Sequence, residues 1–416
     1  MKEEPFEHDV HFVIQPLHFV SKIFGMCPFH IDPKYRYDNE RLCNVLHNML
    51  ATFMIVMLLF GLYSNMVYAT ELIDPTFNII VRVVWVISVV TAYSSSILGL
   101  IFSITRNKNH MTAVLASICR VDKKLLHRHN KQNIYTSQRS HVMMQLKVMF
   151  ILLGIVFSSC AYSFYNGTWT CLMFMISQIL SVAINIVNTL QYVNVILIVK
   201  QRYQLMKHLL LKEVLSDSCS RNPGPFKSHN ANKLFLTTDN LKNYKDSSNV
   251  CRIRDLRMVH SELYDVIHEN NNSYGIVILL EFITVLTYSV FATYFGVITM
   301  NDAVFNNGNF EIYFKGITLL SMCAFELLAF FWLTTCCNST AEEFNATLIH
   351  IQKLLLYPYI STWTIVDLKS FSSQLKNVKI EFNICGFFNL NLHFFCASVG
   401  GMFTYIIVLS QFNQKV

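Results

Sequence analysis

Seven stretches of this chain are apolar for long enough to cross a bilayer, and polar segments separate them. They are residues 49–69, 83–104, 148–166, 171–199, 274–300, 313–337 and 392–412. A helix of about 20 apolar residues spans the roughly 30 Å hydrocarbon core, so each is long enough to cross once. None contains a proline. The pattern predicts an all-α polytopic membrane protein with seven transmembrane helices.

The polar segments carry a second period. Met111, Leu115, Ile118 and Leu125 recur at near-helical spacing, as do Ile253, Leu256, Leu263 and Val266. Phe344, Leu348, Ile351 and Leu355 step by 4, 3 and 4, and Leu368, Phe371, Leu375 and Val378 by 3, 4 and 3. Such stripes predict helices that run on past the membrane and pack into a bundle. Residues 216–250 turn to Ser, Asn, Asp and Lys around Asn222-Pro-Gly-Pro225, the composition of a flexible linker. Between residues 11 and 25 a short interfacial helix is weakly patterned and interrupted by Pro16. The domain reading is a polar segment 1–45, six spans with their extensions over 46–337, extramembrane helices over 338–391, a last span 392–412 and a tail 413–416.

Composition supports the class. Only 14% of the 416 residues are charged, against about 25% in soluble domains. Charge also sets orientation, because cytoplasmic loops collect Lys and Arg. With the N-terminus inside, segments 1–45, 105–147, 200–272 and 338–391 hold 30 of the 33 bases. Arg82, Lys315 and Lys415 fall on the other side. The N-terminus is expected in the cytosol and the C-terminus outside. A G-protein-coupled receptor has the opposite orientation, and neither a D/E-R-Y-like motif nor N-P-x-x-Y is present. The start MKEEPFEHDV lacks the basic and apolar regions of a cleaved signal peptide.

The 12 cysteines show no CxxC pair and no metal-ligand spacing, so they read as small buried residues. Cys160 and Cys171 flank one outer loop and are the one candidate disulfide. Asn166-Gly-Thr168 is a glycosylation candidate on the outer side, whereas Asn271, Asn338 and Asn345 begin sequons on the inside. No cofactor and no nucleic-acid partner is indicated; the environment is the lipid bilayer.

In the last span, Ala397, Gly401, Thr404, Val408 and Gln411 share one face at steps of 4, 3, 4 and 3. That face is small and weakly polar, which suits close helix packing or a water-filled path. Phe395, Met402, Tyr405, Ile406 and Leu409 lie on the other side. Glu281 and Glu326 sit within spans, where an acid must face the bundle interior or water. Each is either a polar contact in a ligand pocket or a tie between helices, and Glu326, nearer mid-span, is the better pocket candidate. The outer halves of the spans supply Trp85, Tyr162, Tyr165, Trp169, Gln178, Tyr288, Tyr294 and Met322 as further candidates for an aromatic ligand pocket. Glu71, Asp74, Asp302 and Glu311 in the outer loops would concentrate cations. No span carries convergent His, Asp, Ser or Cys for catalysis, and no internal repeat points to a transporter.

Thr404-Tyr405-Ile-Ile-Val-Leu-Ser410-Gln411-Phe412 resembles the TYxxxxxQF signature that closes insect gustatory receptors, and Gly400-Gly401 before it also looks like the family. Ser410 departs from the usual aliphatic residue. The resemblance implies a tastant-gated, non-selective cation channel and not an enzyme. It also implies a homo-tetramer, or a hetero-tetramer with other gustatory receptors, in the plasma membrane of sensory neurons. The last helix would line the pore, with a constriction at Gln411 and Phe412 and Val408 one turn deeper. Extramembrane helices would anchor the tetramer. Odorant receptors share the architecture, and Phe412 favours the gustatory branch.

Overall fold

The computed structural model describes residues 9–26, 40–72, 79–125, 131–163, 169–221, 253–305, 310–357 and 360–413. Ten α-helices carry the described chain: α1 Val10–Ile23, α2 Glu40–Leu72, α3 Ile79–Phe102, α4 Lys108–Leu125 and α5 Lys131–Ser163. They continue as α6 Trp169–Arg221, α7 Ile253–Phe305, α8 Phe310–Leu354, α9 Thr362–Asn377 and α10 Leu392–Asn413. Seven of them, α2, α3, α5, α6, α7, α8 and α10, are long and apolar enough to cross a membrane.

Several helices outrun the bilayer. α6 and α7 have 53 residues each, which at about 1.5 Å per residue is roughly 80 Å, more than twice the hydrocarbon thickness. Their extensions form the bundle that the second period predicts. Ile118, Leu256, Leu263, Ile351, Leu368 and Phe371 are all fully buried there. α6 runs to Arg221, six residues into the stretch read as a linker; residues 222–250 lie outside the described residues.

Hydrogen-bonded ion pairs lock this bundle. Arg202 (α6) is almost wholly buried and grips Asp122 (α4) with Nε and Nη2 at 2.6 and 2.9 Å. Tyr135 (α5) donates to the same carboxylate at 2.8 Å, and the guanidinium lies over its ring. One buried charge thus joins three helices. At the bundle rim Lys124 pairs with Glu262 at 2.6 Å, and Lys207 with Glu343.

The first helix differs from the sequence reading. α1 is inserted into the bundle, with Val10, Val13, Ile14, Leu17, Val20 and Ser21 buried, and it packs mainly on α5. Pro16 removes one helical hydrogen bond, but this apolar face holds the helix, aided by the Asp9 cap and by Gln191 donating to Ser21 at 2.8 Å. The helix closes at Gly25, whose φ of +71° suits glycine and where an added Cβ would sit 3.1 Å from Ala51 Cα. A side chain there would meet the α2 backbone.

A small hairpin of two-residue strands, Asn383–Ile384 against Phe388–Asn389, leads into the last helix. Its turn takes left-handed backbone at Cys385 and Gly386. Asn271 on α7 donates to Glu381 O at 3.0 Å, which fixes the hairpin's approach. Asn391 then caps α10 by accepting from Phe394 N at 2.7 Å.

Candidate functional site

α10 stands at the edge of the bundle and is held at one end. Phe388 of the hairpin stacks on Phe394 at 4.4 Å between ring centroids, and Phe282 of α7 lies 4.8 Å from Phe394. Phe395 meets Phe330 and Phe331 of α8. Farther along, Met402 and Leu409 are the only buried residues among those described, against Val290 and Tyr294 of α7.

The opposite face is bare. Ala397, Gly401, Thr404, Val408 and Gln411, the face singled out in the sequence, are all exposed within the chain. A side chain added at Gly400 or Gly401 would meet nothing within 4 Å. Tyr405 of the motif is also exposed, at 68%. Thr404 spends its hydroxyl on Gly400 O at 3.1 Å and Ser410 on Ile407 O at 2.7 Å, so both bond back to their own helix. The side chain of Phe412 lies outside the described residues.

A second feature was not anticipated from the sequence: a polar seam along α6 inside the membrane-length region. Ser177, near its start, meets Tyr93 (α3) at 2.9 Å, and Asn65 (α2) donates to the same phenol at 2.9 Å. One turn on, Ser181 meets Ser96 at 2.8 Å, and Ser96 also donates to Asn185 at 3.0 Å. The Asn188 amide is buried with no hydrogen-bond partner among the described residues and presses on Gly99, where an added Cβ would sit 2.2 Å from its nitrogen. Thr189 donates to both Glu281 oxygens at 2.6 and 2.7 Å. Thr284 donates to Thr91 at 3.0 Å. The signal was legible as Ser177, Ser181, Asn185 and Thr189 at steps of four, one helical stripe. Glu281 is therefore a tie between α6 and α7. Glu326 on α8 has one carboxyl oxygen buried with no hydrogen-bond partner among the described residues.

The other aromatic pocket candidates are spread over α3, α6, α7 and α8. Trp85 packs on the main core, while Tyr294 is buried against α10. Gln178, Tyr288, Met322 and Glu326 are half-buried on α6, α7 and α8. Tyr165 and Asn166 lie outside the described residues, as do the side chains of Tyr162 and Trp169 and the Cys160–Cys171 pair.

Outside the membrane-length helices, Cys119 lies 3.8 Å from His11 Nε2 and 3.9 Å from both Asp9 carboxylate oxygens. Burial, with Asp9 and Asp122 nearby, pushes the thiol up to about 12. It stays a thiol at neutral pH, and thiolate chemistry is not on offer. Among the described residues, no three His, Cys, Asp or Glu side chains gather to hold a metal ion.

Seven membrane-length helices, the last with one bare face, and extensions that form a bundle define a multi-pass membrane protein. A family model described as 7tm Chemosensory receptor matches residues 14–416, and the chain belongs to that family. The fold is that of the insect olfactory receptor OR5 from Machilis hrabei, with a TM-score of 0.60 at 12% identity over 95% of this chain and 97% of that one. The OR5 complex with eugenol matches with the same score and identity over 96% and 97%. Among curated proteins none matches.

Proposed function

We propose that the chain is a gustatory-type subunit of a tastant-gated, non-selective cation channel, in which four α10 helices line a central pore. The observation that carries this reading is the bare face of α10. A helix exposing Gly401, Thr404 and Gln411 along one side, with its other side packed at the base and at Met402 and Leu409, needs other chains or water to cover that face. A ring of Val408 or Phe412 side chains would close such a pore by excluding water, and Gln411 would line it without adding charge. The TYxxxxxQF match ends on Phe412, which favours the gustatory over the odorant branch.

The Lys and Arg distribution supports a cytosolic N-terminus and a C-terminus outside, with the constriction near the outer face. The extramembrane bundle is then cytosolic. Its apolar side chains Leu356, Trp363 and Val366, exposed at 84, 80 and 59%, suit the contacts between subunits. Tastant would bind in the outer half of each bundle, among Trp85, Gln178, Tyr288, Met322 and Glu326. OR5 is named in complex with eugenol, so a receptor of this fold takes a small organic ligand.

Whole-cell recording from cells expressing the chain, under a panel of sugars and bitter compounds and without added G protein, tests the reading. A ligand-evoked cation current is expected. Gln411→Ala and Phe412→Ala should change ion selectivity or basal leak while surface expression holds. Wild-type selectivity and leak in both variants would remove these residues from the pore.

A further inference from the structure

A recess opens between α2 and α5, over α6. Both helices lean on α6 rather than on each other, which leaves a gap between them. The gap has a volume of about 340 Å³, within the range of roughly 300–1,000 Å³ typical of ligand sites. Phe53 and Met57 of α2 form one wall, Leu153 of α5 the other, and Leu180 and Ala183 of α6 the back; Phe24, just after α1, contributes from the fourth side. Every lining residue is apolar.

The flanks of the recess say what lies in front of it. On α2, Phe53, Val56, Leu59 and Phe60 are more than half exposed, and on α5 Phe150, Ile151 and Ile155 likewise. In a membrane helix such a belt faces hydrocarbon, so the recess opens laterally to the bilayer. Water has no polar partner there, and an apolar cavity stays dry. Left empty, its walls would forfeit their dispersion contacts beside a fluid of hydrocarbon chains. A polar tastant would find no group to orient it. We propose that this recess is a binding site for one acyl chain of a bilayer phospholipid, which wedges between α2 and α5 and completes their packing on α6. The proposal rests on the membrane class of the chain and not on the channel reading.

The test uses the full chain in phosphatidylcholine nanodiscs containing a phosphatidylcholine with a photoactivatable group in its acyl chain, with crosslinks mapped by mass spectrometry. A parallel sample carries a sterol photoprobe. Labelling by the phospholipid at Met57, Leu180 and Ala183 is expected to exceed that at the belt residues Phe60 and Ile155 at least threefold. Ala183→Trp, which fills the back of the recess, should bring groove labelling down to the belt level and leave the belt unchanged. Met57→Trp, at the α2 wall, should do the same where Ala183→Trp fails to give a monodisperse protein. Wild-type groove labelling no higher than the belt overturns the proposal. So does groove labelling by the sterol probe alone, or groove labelling unchanged in the filled variant.

Discussion

α6 and α10 have the same mean hydropathy over their membrane-length windows, yet 83% of the α6 window is buried and 11% of the α10 window. Hydropathy alone makes both a membrane helix. Their polar residues separate them. Along α6, Ser177, Ser181 and Thr189 each find a partner on another helix. Along α10, Thr404 and Ser410 bond back to their own backbone, and Gln411 faces outward. A helix most of whose polar groups are matched on neighbouring helices is a structural axis. A helix whose small polar face is left open has that face free for something outside the chain.

Three changes would break or sharpen this contrast. The largest effect belongs to the α6 axis: Arg202→Ala strands the buried Asp122 carboxylate and releases α4 and α5 from α6. Removing one partner of a buried pair costs about 3–5 kcal/mol, so the purified protein should unfold well below the wild type in a thermal melt. An unchanged melt would mean that Asp122 finds another partner. Next, a chain ended before Leu392 should lose conduction entirely and yet reach the cell surface, read by whole-cell current alongside surface labelling. Residual current from it would take the pore away from α10. The smallest effect is Thr189→Val, which removes one intramembrane hydrogen bond, worth about 0.6 kcal/mol on average. It should lower the melt slightly, and a large drop would give Glu281 a heavier role than a helix tie.

Much of this architecture was legible in advance because membrane helices advertise themselves by length and composition. The seven spans and the period in their extensions both followed from which residues avoid water. The same period identified the face Ala397, Gly401, Thr404, Val408 and Gln411, which the structure leaves bare. The seam was not read, although its stripe was there. Single Ser and Thr residues in a span are tolerated on many faces, and only the opposing Tyr93, Ser96 and Glu281 show that this one is buried. Which aromatic side chains line a pocket was not legible for a related reason: Trp and Tyr belong at membrane interfaces whether or not they line one.

α1 marks the limit most clearly. Its Pro16 and irregular pattern pointed to a weak surface helix, and the structure inserts it against α5, with Phe12 under the Arg139 guanidinium at 3.9 Å. By itself the sequence determined what must leave water: seven apolar spans, the amphipathic extensions and the two faces of the last helix. Each of those follows from local periodicity, which a single chain displays in full. Tertiary structure alone decided which polar groups meet across helices, that α1 is core, and that α2 and α5 part over α6. Those depend on residues far apart in sequence arriving at the same depth and rotation, which no local pattern encodes.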